Sequence, residues 1–279
     1  MPEWEAPAKV NLDLRVGARD RNGLHPLRSI VQTVDWLDLL AIEVGDDDIL
    51  RVEGADLPTD GDNLIWKAVS ALDPPGRPAL DIVLHKSIPV AAGLGGGSSD
   101  AAAVLAAMGD LFGINEADRF DAATRVGADV PFLLSGGTAL MEGHGERISV
   151  LDALSGFALG LAVPPFPLAT ADVYARWDDL VRPVGPVVDG SRLPPGLRSH
   201  DELRNDLTPA AVSLRPELAD WITDLAERWS RPVLMSGSGP ACFAFFVDAD
   251  EAAGAVEAVG EHRGVQAAAL RPRGVDRAS

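Results

Sequence analysis

A glycine-rich segment followed by two serines is the strongest candidate for chemistry in this chain of 279 residues. It reads PVAAGLGGGSS from Pro89 to Ser99, after an apolar segment that favours a strand and before an alanine-rich segment that favours a helix. The N–H groups of such a turn can converge on one point, and a helix N-terminus adds partial positive charge. The pattern predicts a phosphate-binding turn; a flexible strand-to-helix turn with a serine cap is the alternative.

The two serines place hydroxyl groups where the helix should begin. Ser98 or Ser99 could cap the helix, contact a phosphate or coordinate Mg²⁺. The chain contains no Gly-Lys pair, so the segment is not a Walker A loop. Its glycines also do not form the dinucleotide fingerprint of a plain β-α-β unit, which makes a Rossmann-type protein the weaker interpretation.

Phosphoryl transfer also requires a group that takes the proton of the acceptor hydroxyl. Asp129 lies in the turn GADVPF, between a helix-stopping glycine and Pro131, and is a candidate base. Lys9 opens the first predicted strand and is one of three lysines in a chain with 21 arginines. Its ammonium group could keep the carboxylate ionised. The alternatives are an Asx turn or helix cap for Asp129 and a solvated strand end for Lys9.

The composition argues against nucleic acid and membranes as partners. A formal charge of −18 repels polyanions and anionic lipid surfaces. No apolar run reaches the roughly 18 residues that span a bilayer, and the N-terminus lacks the basic and apolar regions of a signal peptide. The single cysteine, Cys242, allows no disulfide framework. We therefore expect a cytoplasmic enzyme in which any bound anion depends on backbone amides, a few cations or a metal ion.

The elements that must position these residues mix strands and helices. Periodicity and turn residues predict strands over 10–17, 28–36, 38–44, 79–88, 156–163 and 265–270, hairpins over 138–150 and 231–248, and helices over 63–72, 98–112, 118–126, 216–229 and 251–262. The proline- and glycine-rich stretch 178–200 is predicted to be irregular or mobile. Without strict β-α alternation, this order predicts an α+β fold in two lobes that divide near residues 151–156.

Four blocks of the sequence together resemble the GHMP kinase family. They are PAKVNLDL with the following GLHPLRSIVQTVDWLD, PVAAGLGGGSSDAAA, ADVPFLLSGGTALMEGHGE and LMSGSGPACFAFF, in this order between Ala6 and Val247. The resemblance implies a two-lobed GHMP-kinase-like fold with the active site in the cleft between the lobes. It also implies an N-terminal ATP-binding domain over 1–154 and a C-terminal GHMP kinase domain over 155–279.

The resemblance further implies roles for individual residues. Lys9 and Asp129 would form the catalytic pair, and Asn11 would position the acceptor. His25 would hydrogen-bond the edge of a cytosine, and Tyr174 would stack on its face. The residues that would hold ATP are Pro89, Gly93, Leu94, Gly95, Gly96, Gly97, Ser98 and Ser99.

Within the family, the blocks look most like those of a kinase of the non-mevalonate isoprenoid route. This likeness implies that ATP, with Mg²⁺, phosphorylates the 2-hydroxyl of a cytidine diphosphate-linked methylerythritol. The alternatives are a GHMP kinase for a mevalonate-, homoserine- or sugar-type acceptor, and a nucleotide-binding regulator without catalysis. The sequence predicts no particular oligomeric state.

Leu24 departs from the family pattern, which has an aromatic residue just before the histidine. A leucine can cover a ring face but offers no π-stacking, and losing such a contact costs about 1 kcal/mol. Either cytosine recognition is weaker on that side, or another residue covers the missing ring face. The alternatives for the other two residues are a polar turn residue for His25 and surface packing beside Trp177 for Tyr174.

Overall fold

The computed structural model describes residues 1–72, 74–259 and 265–278. Its first lobe is built on a sheet whose strands come mostly from the first 150 residues. The elements of this lobe are β1 (Glu3–Val16), β2 (Leu27–Gly45), β3 (Ile49–Glu53), α1 (Leu64–Leu72), β4 (Ala79–His85), α2 (Gly96–Phe112), α3 (Glu116–Val126), α4 (Val130–Ser135), β5 (Thr138–Gly143) and β6 (Arg147–Val150).

The second lobe is built on a smaller antiparallel sheet. Its elements are β7 (Ala158–Ala162), α5 (Thr170–Asp179), β8 (Val187–Asp189), β9 (Glu202–Arg204), α6 (Thr208–Leu214), α7 (Glu217–Trp229), β10 (Leu234–Met235), β11 (Cys242–Phe246), α8 (Ala249–Glu257) and β12 (Val265–Ala268). The last strand, β13 (Asp276–Arg277), belongs to the sheet of the first lobe. The sheet of the second lobe has the strand order β10-β11-β7-β12, while β8 and β9 form a separate pair. Two short 3-10 helices, Gly190–Arg192 and Pro195–Leu197, follow β8.

The long strand β2 organises the first sheet, whose strand order is β13-β1-β2-β4-β3. One edge of β2 pairs with β1, and the other edge pairs with β5 and then with β4, so 19 residues serve three neighbours. All these pairs are antiparallel, and β3 and β4 pair in parallel. Lys9 and Asn11 are two residues apart on β1, so the strand presents both on one face.

Helix α2 packs closely because its buried face consists of small side chains. Ala101, Ala102, Ala103 and Ala107 are fully buried in the core of the first lobe. Alanine methyl groups let the helix approach its neighbours and lose little side-chain entropy on burial. The close packing fixes the direction in which the N-terminus of α2 points, which is toward the cleft.

A second hydrophobic cluster joins the two lobes. Leu12 and Ile30 of the first sheet pack with Leu161 and Phe243 of the second, and all four side chains are buried. Each such side chain contributes about 1.5–3 kcal/mol when it leaves water. The two walls of the cleft are therefore held against each other by a shared core.

The two-lobed α+β fold predicted from the sequence is confirmed. Helices α1, α3 and α7, the hairpin β5–β6 and the strand β7 lie where periodicity predicted them. The two strands predicted over 28–36 and 38–44 are one continuous strand, β2, because Leu37 between them still pairs with Pro7 of β1.

Several elements differ from the sequence predictions. The patterns missed α5 and α6. The stretch 178–200 carries β8 and the two 3-10 helices, and Val188, Leu193 and Leu197 anchor it because their side chains are buried in the inter-lobe cluster. The helix predicted over 251–262 is α8, and residues 260–262 of that prediction lie outside the described part of the chain.

The chain returns to the first lobe near its end, where β13 pairs with β1 and places Arg277 opposite Trp4. The predicted boundary between residues 154 and 155 falls between β6 and β7 and stays a prediction. Within the predicted C-terminal domain, however, the last strand belongs to the first sheet. None of the helices in the described residues is long and apolar enough to cross a lipid bilayer.

Candidate active site

A cavity of ≈ 960 Å³ opens between the two lobes. Its walls come from β1, the glycine-rich turn, the start of α4 and the β5–β6 turn in the first lobe, and from α5 and the turn after β10 in the second. Every residue predicted for the site lines this cavity except Ser99. The structure thus brings together residues that lie far apart in the chain.

The glycine-rich turn is held by hydrogen bonds from both lobes. The Lys9 backbone N–H donates to the carbonyl oxygen of Leu94 at 2.9 Å. From the second lobe, the Ser236 hydroxyl donates to the carbonyl oxygen of Gly93 at 3.1 Å. These contacts fix the turn against β1 and against the turn after β10.

Two positions in the turn require glycine. Gly93 and Gly95 have φ angles of +79° and +73°, in the left-handed region that L side chains rarely adopt. A Cβ atom on Gly93 would lie 2.5 Å from the Ser236 carbonyl oxygen, and one on Gly95 would lie 2.8 Å from Cγ of Lys9. Both glycines therefore combine a conformational requirement with a close approach.

Helix α2 begins at Gly96, two residues before the start predicted from the serines. The Ser99 N–H donates to the Gly95 carbonyl oxygen at 2.9 Å, which begins the hydrogen-bond pattern of the helix. Helix geometry leaves the preceding N–H groups, those of Gly96, Gly97 and Ser98, without an intrahelical acceptor. These three residues line the cavity, so an anion there would meet their donors and the positive end of the helix.

The two serines of the motif have different surroundings. Ser98 is partly exposed and lines the cavity. Ser99 is fully buried, and its hydroxyl has no hydrogen-bond partner among the residues that the structure describes. Ser98 is consequently the serine that could contact a phosphate or a metal ion, and Ser99 lies behind the cavity wall.

Lys9 and Asp129 meet in the cavity, with Nζ 3.4 Å from Oδ2. Lys9 is 4% exposed, whereas 29% of the Asp129 side chain is exposed. Asp129 directly precedes α4, yet its carboxylate makes no capping hydrogen bond to that helix. The helix cap considered as the alternative role for Asp129 is therefore absent, and the carboxylate is accessible from the cavity.

Asn11 holds the ammonium group of Lys9 in place. Lys9 Nζ donates to Asn11 Oδ1 at 2.5 Å. The Asn11 amide nitrogen donates to Ser29 Oγ at 2.8 Å, and its backbone N–H donates to Ser236 Oγ at 3.1 Å. With its side chain and backbone both bonded, Asn11 gives Lys9 a fixed direction.

The turn after β10 forms the opposite wall, and sequence reasoning did not include it among the site residues. A Cβ atom on Gly237 would lie 3.3 Å from Lys9 Nζ and 3.2 Å from Asn11 Oδ1. The Asn205 amide donates to the carbonyl oxygens of Met235 and Gly237 at 2.7 and 2.8 Å, which fixes this turn. The GSG sequence signals the turn, but no local pattern shows that Asn205 reaches it.

His25 and Tyr174, which both line the cavity, contact each other. Their ring centroids lie 5.2 Å apart with an interplanar angle of 32°, and Trp177 meets His25 edge-on at 5.5 Å. Tyr174 therefore packs on His25, and the roles of both in cytosine recognition stay predictions. Burial, together with the Asp129 carboxylate, raises the pKa of Tyr174 to about 12, so its hydroxyl stays protonated at neutral pH.

Several residues that the sequence did not single out also line the cavity. Leu57 and Leu64, together with Val90 of the glycine-rich turn, give the cavity an apolar surface. Arg19 and Lys86 add cations. The exposed Leu24 also lines the cavity, at the position where the family pattern has an aromatic residue.

Family models for the N-terminal and C-terminal domains of GHMP kinases match residues 63–137 and 191–264. The 4-diphosphocytidyl-2-C-methyl-D-erythritol kinase of Pelotomaculum thermopropionicum is 37% identical over 259 residues, which cover 88% of this chain and 90% of the relative. The chain belongs to the GHMP kinase family. A second relative of this GHMP kinase, the enzyme of the same name from Mycolicibacterium paratuberculosis, is 42% identical over 255 residues, which cover 85% of this chain and 79% of the relative.

Solved structures agree with the assignment of this chain to the GHMP kinase family. A crystal structure of a 4-(cytidine 5'-diphospho)-2C-methyl-D-erythritol kinase is 36% identical, with a TM-score of 0.78 and coverage of 96% of this chain and 98% of that one. A homoserine kinase from Cytophaga hutchinsonii has a TM-score of 0.71 at 18% identity, over 99% of this chain and 97% of that one, and shares the fold. The family resemblance predicted from the four sequence blocks is confirmed.

Proposed function

We propose that this GHMP kinase transfers the γ-phosphoryl group of ATP to the 2-hydroxyl of 4-diphosphocytidyl-2-C-methyl-D-erythritol. The observation that carries the proposal is the contact of Lys9 Nζ with Asp129 Oδ2 at 3.4 Å, in a cavity that the N-terminus of α2 also lines. The relatives of 37–42% identity that carry this name support the choice of acceptor.

The glycine-rich turn and the start of α2 would hold the phosphates of ATP. The N–H groups of Gly96, Gly97 and Ser98 supply donors, and the helix N-terminus supplies partial positive charge. In a chain with a formal charge of −18, these local donors offset the repulsion of a polyanion. The apolar surface beside the turn suits the adenosine part.

Mg²⁺ fits this arrangement through Ser98, whose hydroxyl lines the cavity next to the proposed phosphate site. Protein-bound Mg²⁺ usually takes only one or two protein ligands beside phosphate oxygens and water, so a single hydroxyl is compatible with it. The ion would neutralise charge on the β- and γ-phosphates. The buried Ser99 does not line the cavity and has no part in this proposal.

Asp129 would accept the proton of the acceptor hydroxyl as its oxygen attacks the γ-phosphorus and ADP leaves. The neighbouring ammonium group of Lys9 would stabilise negative charge on the attacking oxygen. Asn11 holds that ammonium group by accepting a hydrogen bond from it. His25 and Tyr174 would receive the cytosine, as the sequence resemblance implies, and the predicted cytoplasmic location belongs to the same proposal.

Asp129→Asn tests the catalytic assignment. Because the amide cannot accept the hydroxyl proton, we expect kcat to fall by about 10²–10⁴ while the Kd for ATP stays within about threefold of the wild-type value. ADP release in a coupled assay gives kcat, and calorimetry gives the Kd. Asp152→Asn, at an exposed aspartate outside the cavity, is the matched control and should behave as wild type. Near-normal turnover of the Asp129 variant would remove that residue from the mechanism.

The acceptor is tested separately with the wild-type enzyme. ADP release is compared for the cytidylylated methylerythritol, mevalonate, homoserine and a sugar such as galactose. We expect turnover with the first acceptor only. Preference for one of the others would make this chain a different GHMP kinase, and ATP binding without turnover on any acceptor would favour a non-catalytic nucleotide-binding protein.

A further inference from the structure

Few permanent cations line the cavity, although the proposed acceptor carries a diphosphate. Among the described residues, its Lys and Arg side chains are Lys9, Arg19 and Lys86. Lys9 is engaged with Asp129, and Lys86 is 4% exposed and held between two carboxylates. Arg19 differs from both because half of its side chain, 51%, is exposed.

Only one nitrogen of the Arg19 guanidinium has a partner in the described part of the chain. Nε lies 2.7 Å from Asp178 Oδ2 and donates to His25 Nε2 at 3.1 Å. The two terminal nitrogens, Nη1 and Nη2, carry four N–H donors, none of which donates a hydrogen bond to the described residues. The two terminal nitrogens of a guanidinium are spaced so that they can donate to two phosphate oxygens at once.

We infer that Arg19 determines acceptor specificity by binding the diphosphate of the acceptor. The inference rests on the proposed function, in which the nucleobase lies at His25 and the reacting hydroxyl lies at Lys9 and Asp129. The diphosphate joins these two parts of the acceptor, and Arg19 lines the same cavity within hydrogen-bond distance of His25. A net charge of −18 makes a local cation necessary for a ligand with two negative charges.

Asp178 acts as a positioning residue for this arginine. Its carboxylate contacts Arg19 Nε and also lies 3.3 Å from His25 Nε2 and 3.7 Å from Arg182 Nε. The guanidinium groups of Arg19 and Arg182 offset its negative charge, so it orients Arg19 without repelling the diphosphate strongly. The contact at Nε leaves the outer edge of the guanidinium free for the ligand.

Binding of CDP and of cytidine to Arg19→Gln tests the inference, because only CDP carries the diphosphate. We expect wild type to bind CDP more tightly than cytidine, and we expect the variant to lose about tenfold to about hundredfold in CDP affinity. Its cytidine affinity should stay within about twofold of wild type. Arg19→Lys, which keeps the charge but not the two-pronged edge, should give an intermediate loss. Isothermal calorimetry measures the affinity of each protein for both ligands.

Arg21→Gln is the matched control, because Arg21 is an exposed arginine in the same loop and does not line the cavity. It should keep the wild-type ratio of CDP to cytidine affinity. An unchanged CDP affinity in Arg19→Gln overturns the inference. An equal loss of affinity for CDP and cytidine also overturns it, because it would show a merely structural role. If the wild-type enzyme binds neither ligand and phosphorylates no cytidylylated acceptor, the proposed function is wrong, and the inference about Arg19 is then wrong as well.

Steady-state kinetics give a second readout. Because the diphosphate is present in both ground state and transition state, its contact is uniform binding. Arg19→Gln should raise the KM for the cytidylylated acceptor by about tenfold or more, with kcat and the KM for ATP within about threefold of wild type. A fall in kcat at unchanged acceptor KM would contradict the assigned role.

Discussion

At the scale of single residues, three buried charged side chains form a cluster beside the cavity. Lys86 Nζ contacts the carboxylates of both Asp38 and Asp100, the latter at 2.9 Å, and all three side chains are at most 4% exposed. One oxygen of Asp100, Oδ1, has no hydrogen-bond partner among the described residues. Burial is the largest cause that raises the pKa of Asp100 to about 7; Lys86 opposes this shift and Asp38 adds to it.

The raised pKa of Asp100 predicts a pH dependence of stability. Between about pH 4 and about pH 7 the folded protein keeps a proton on this carboxyl that the unfolded chain, with a pKa near 3.8, has lost. The free energy of unfolding should therefore fall as pH rises through this range. Asp100→Asn has no such proton to lose, so its free energy of unfolding should fall less than that of wild type between about pH 5 and about pH 8.

Urea unfolding at several pH values measures this difference. Asp152→Asn, at an exposed carboxylate, is the matched control and should follow wild type at every pH. Parallel pH profiles for wild type and Asp100→Asn would contradict the prediction, since they would show that Asp100 does not carry the extra proton in the folded state.

At the scale of elements, the junction of β4, the glycine-rich turn and α2 controls the site. The turn contributes the backbone donors, and the same turn packs against the aliphatic part of Lys9. Helix α2 is anchored by its buried alanines, so its N-terminus cannot move without disturbing the core of the first lobe. One local structure thus sets both the backbone donors for an anion and the position of Lys9, the proposed catalytic lysine.

Gly95→Ala should damage this junction in two ways. The left-handed φ of +73° costs an alanine about 1–2 kcal/mol, and the new Cβ would lie 2.8 Å from Lys9 Cγ. We expect a lower free energy of unfolding by that amount and a fall in kcat of about tenfold or more, because Lys9 must move. Urea unfolding and coupled ADP release measure the two effects.

Gly97→Ala is the matched control for stability. Gly97 lies in the first turn of α2, and a Cβ there would meet only Leu64 Cδ1, at an ordinary 3.4 Å. Its free energy of unfolding should be unchanged or higher by up to about 1 kcal/mol, as expected for alanine in a helix. Equal stability of the two variants would show that the turn tolerates a side chain at Gly95.

At the scale of the whole molecule, the end of the chain ties the second lobe back to the first. After β12 the chain crosses to α4, where Gly274 N–H donates to Ser135 O at 2.9 Å and Val275 N–H donates to Leu133 O at 3.0 Å. Further on, β13 completes the edge of the first sheet beside β1. Asp129 directly precedes α4, so the C-terminal segment supports the element that carries the proposed base.

Gly274→Ala should weaken this connection. A Cβ atom there would lie 2.1 Å from the carbonyl oxygen of Leu133, so the segment must shift. We expect the free energy of unfolding to fall by about 1–3 kcal/mol, with a fall in kcat because α4 is disturbed. Urea unfolding and turnover measure both effects.

Gly254→Ala, in α8 with nothing within 4 Å of the new Cβ, is the matched control. It should be as stable as wild type or more stable. A Gly274 variant with wild-type stability would show that the end of the chain contributes little to holding the lobes together.

Much of the fold could be predicted because it depends on neighbours in the sequence. The glycine that follows α2, Gly113, and the apolar stripe of α7 are local signals, and α2 ends and α7 lies where the sequence predicts. The buried Val188, Leu193 and Leu197 follow no period, so their stretch was predicted to be irregular or mobile. Their burial depends on the inter-lobe cluster, which a local pattern does not contain.

The candidate site, like the fold, was predictable from the sequence only in its local features. The sequence by itself determined a glycine-rich turn before a helix, and it offered Lys9 and Asp129 as candidates for proton chemistry. Only the tertiary structure decided that these two side chains meet at 3.4 Å, that Ser98 rather than Ser99 lines the cavity, and that Arg19 lies beside His25. The physical reason is range: turn and helix preferences act over a few residues, whereas these contacts depend on how distant elements pack around a shared core.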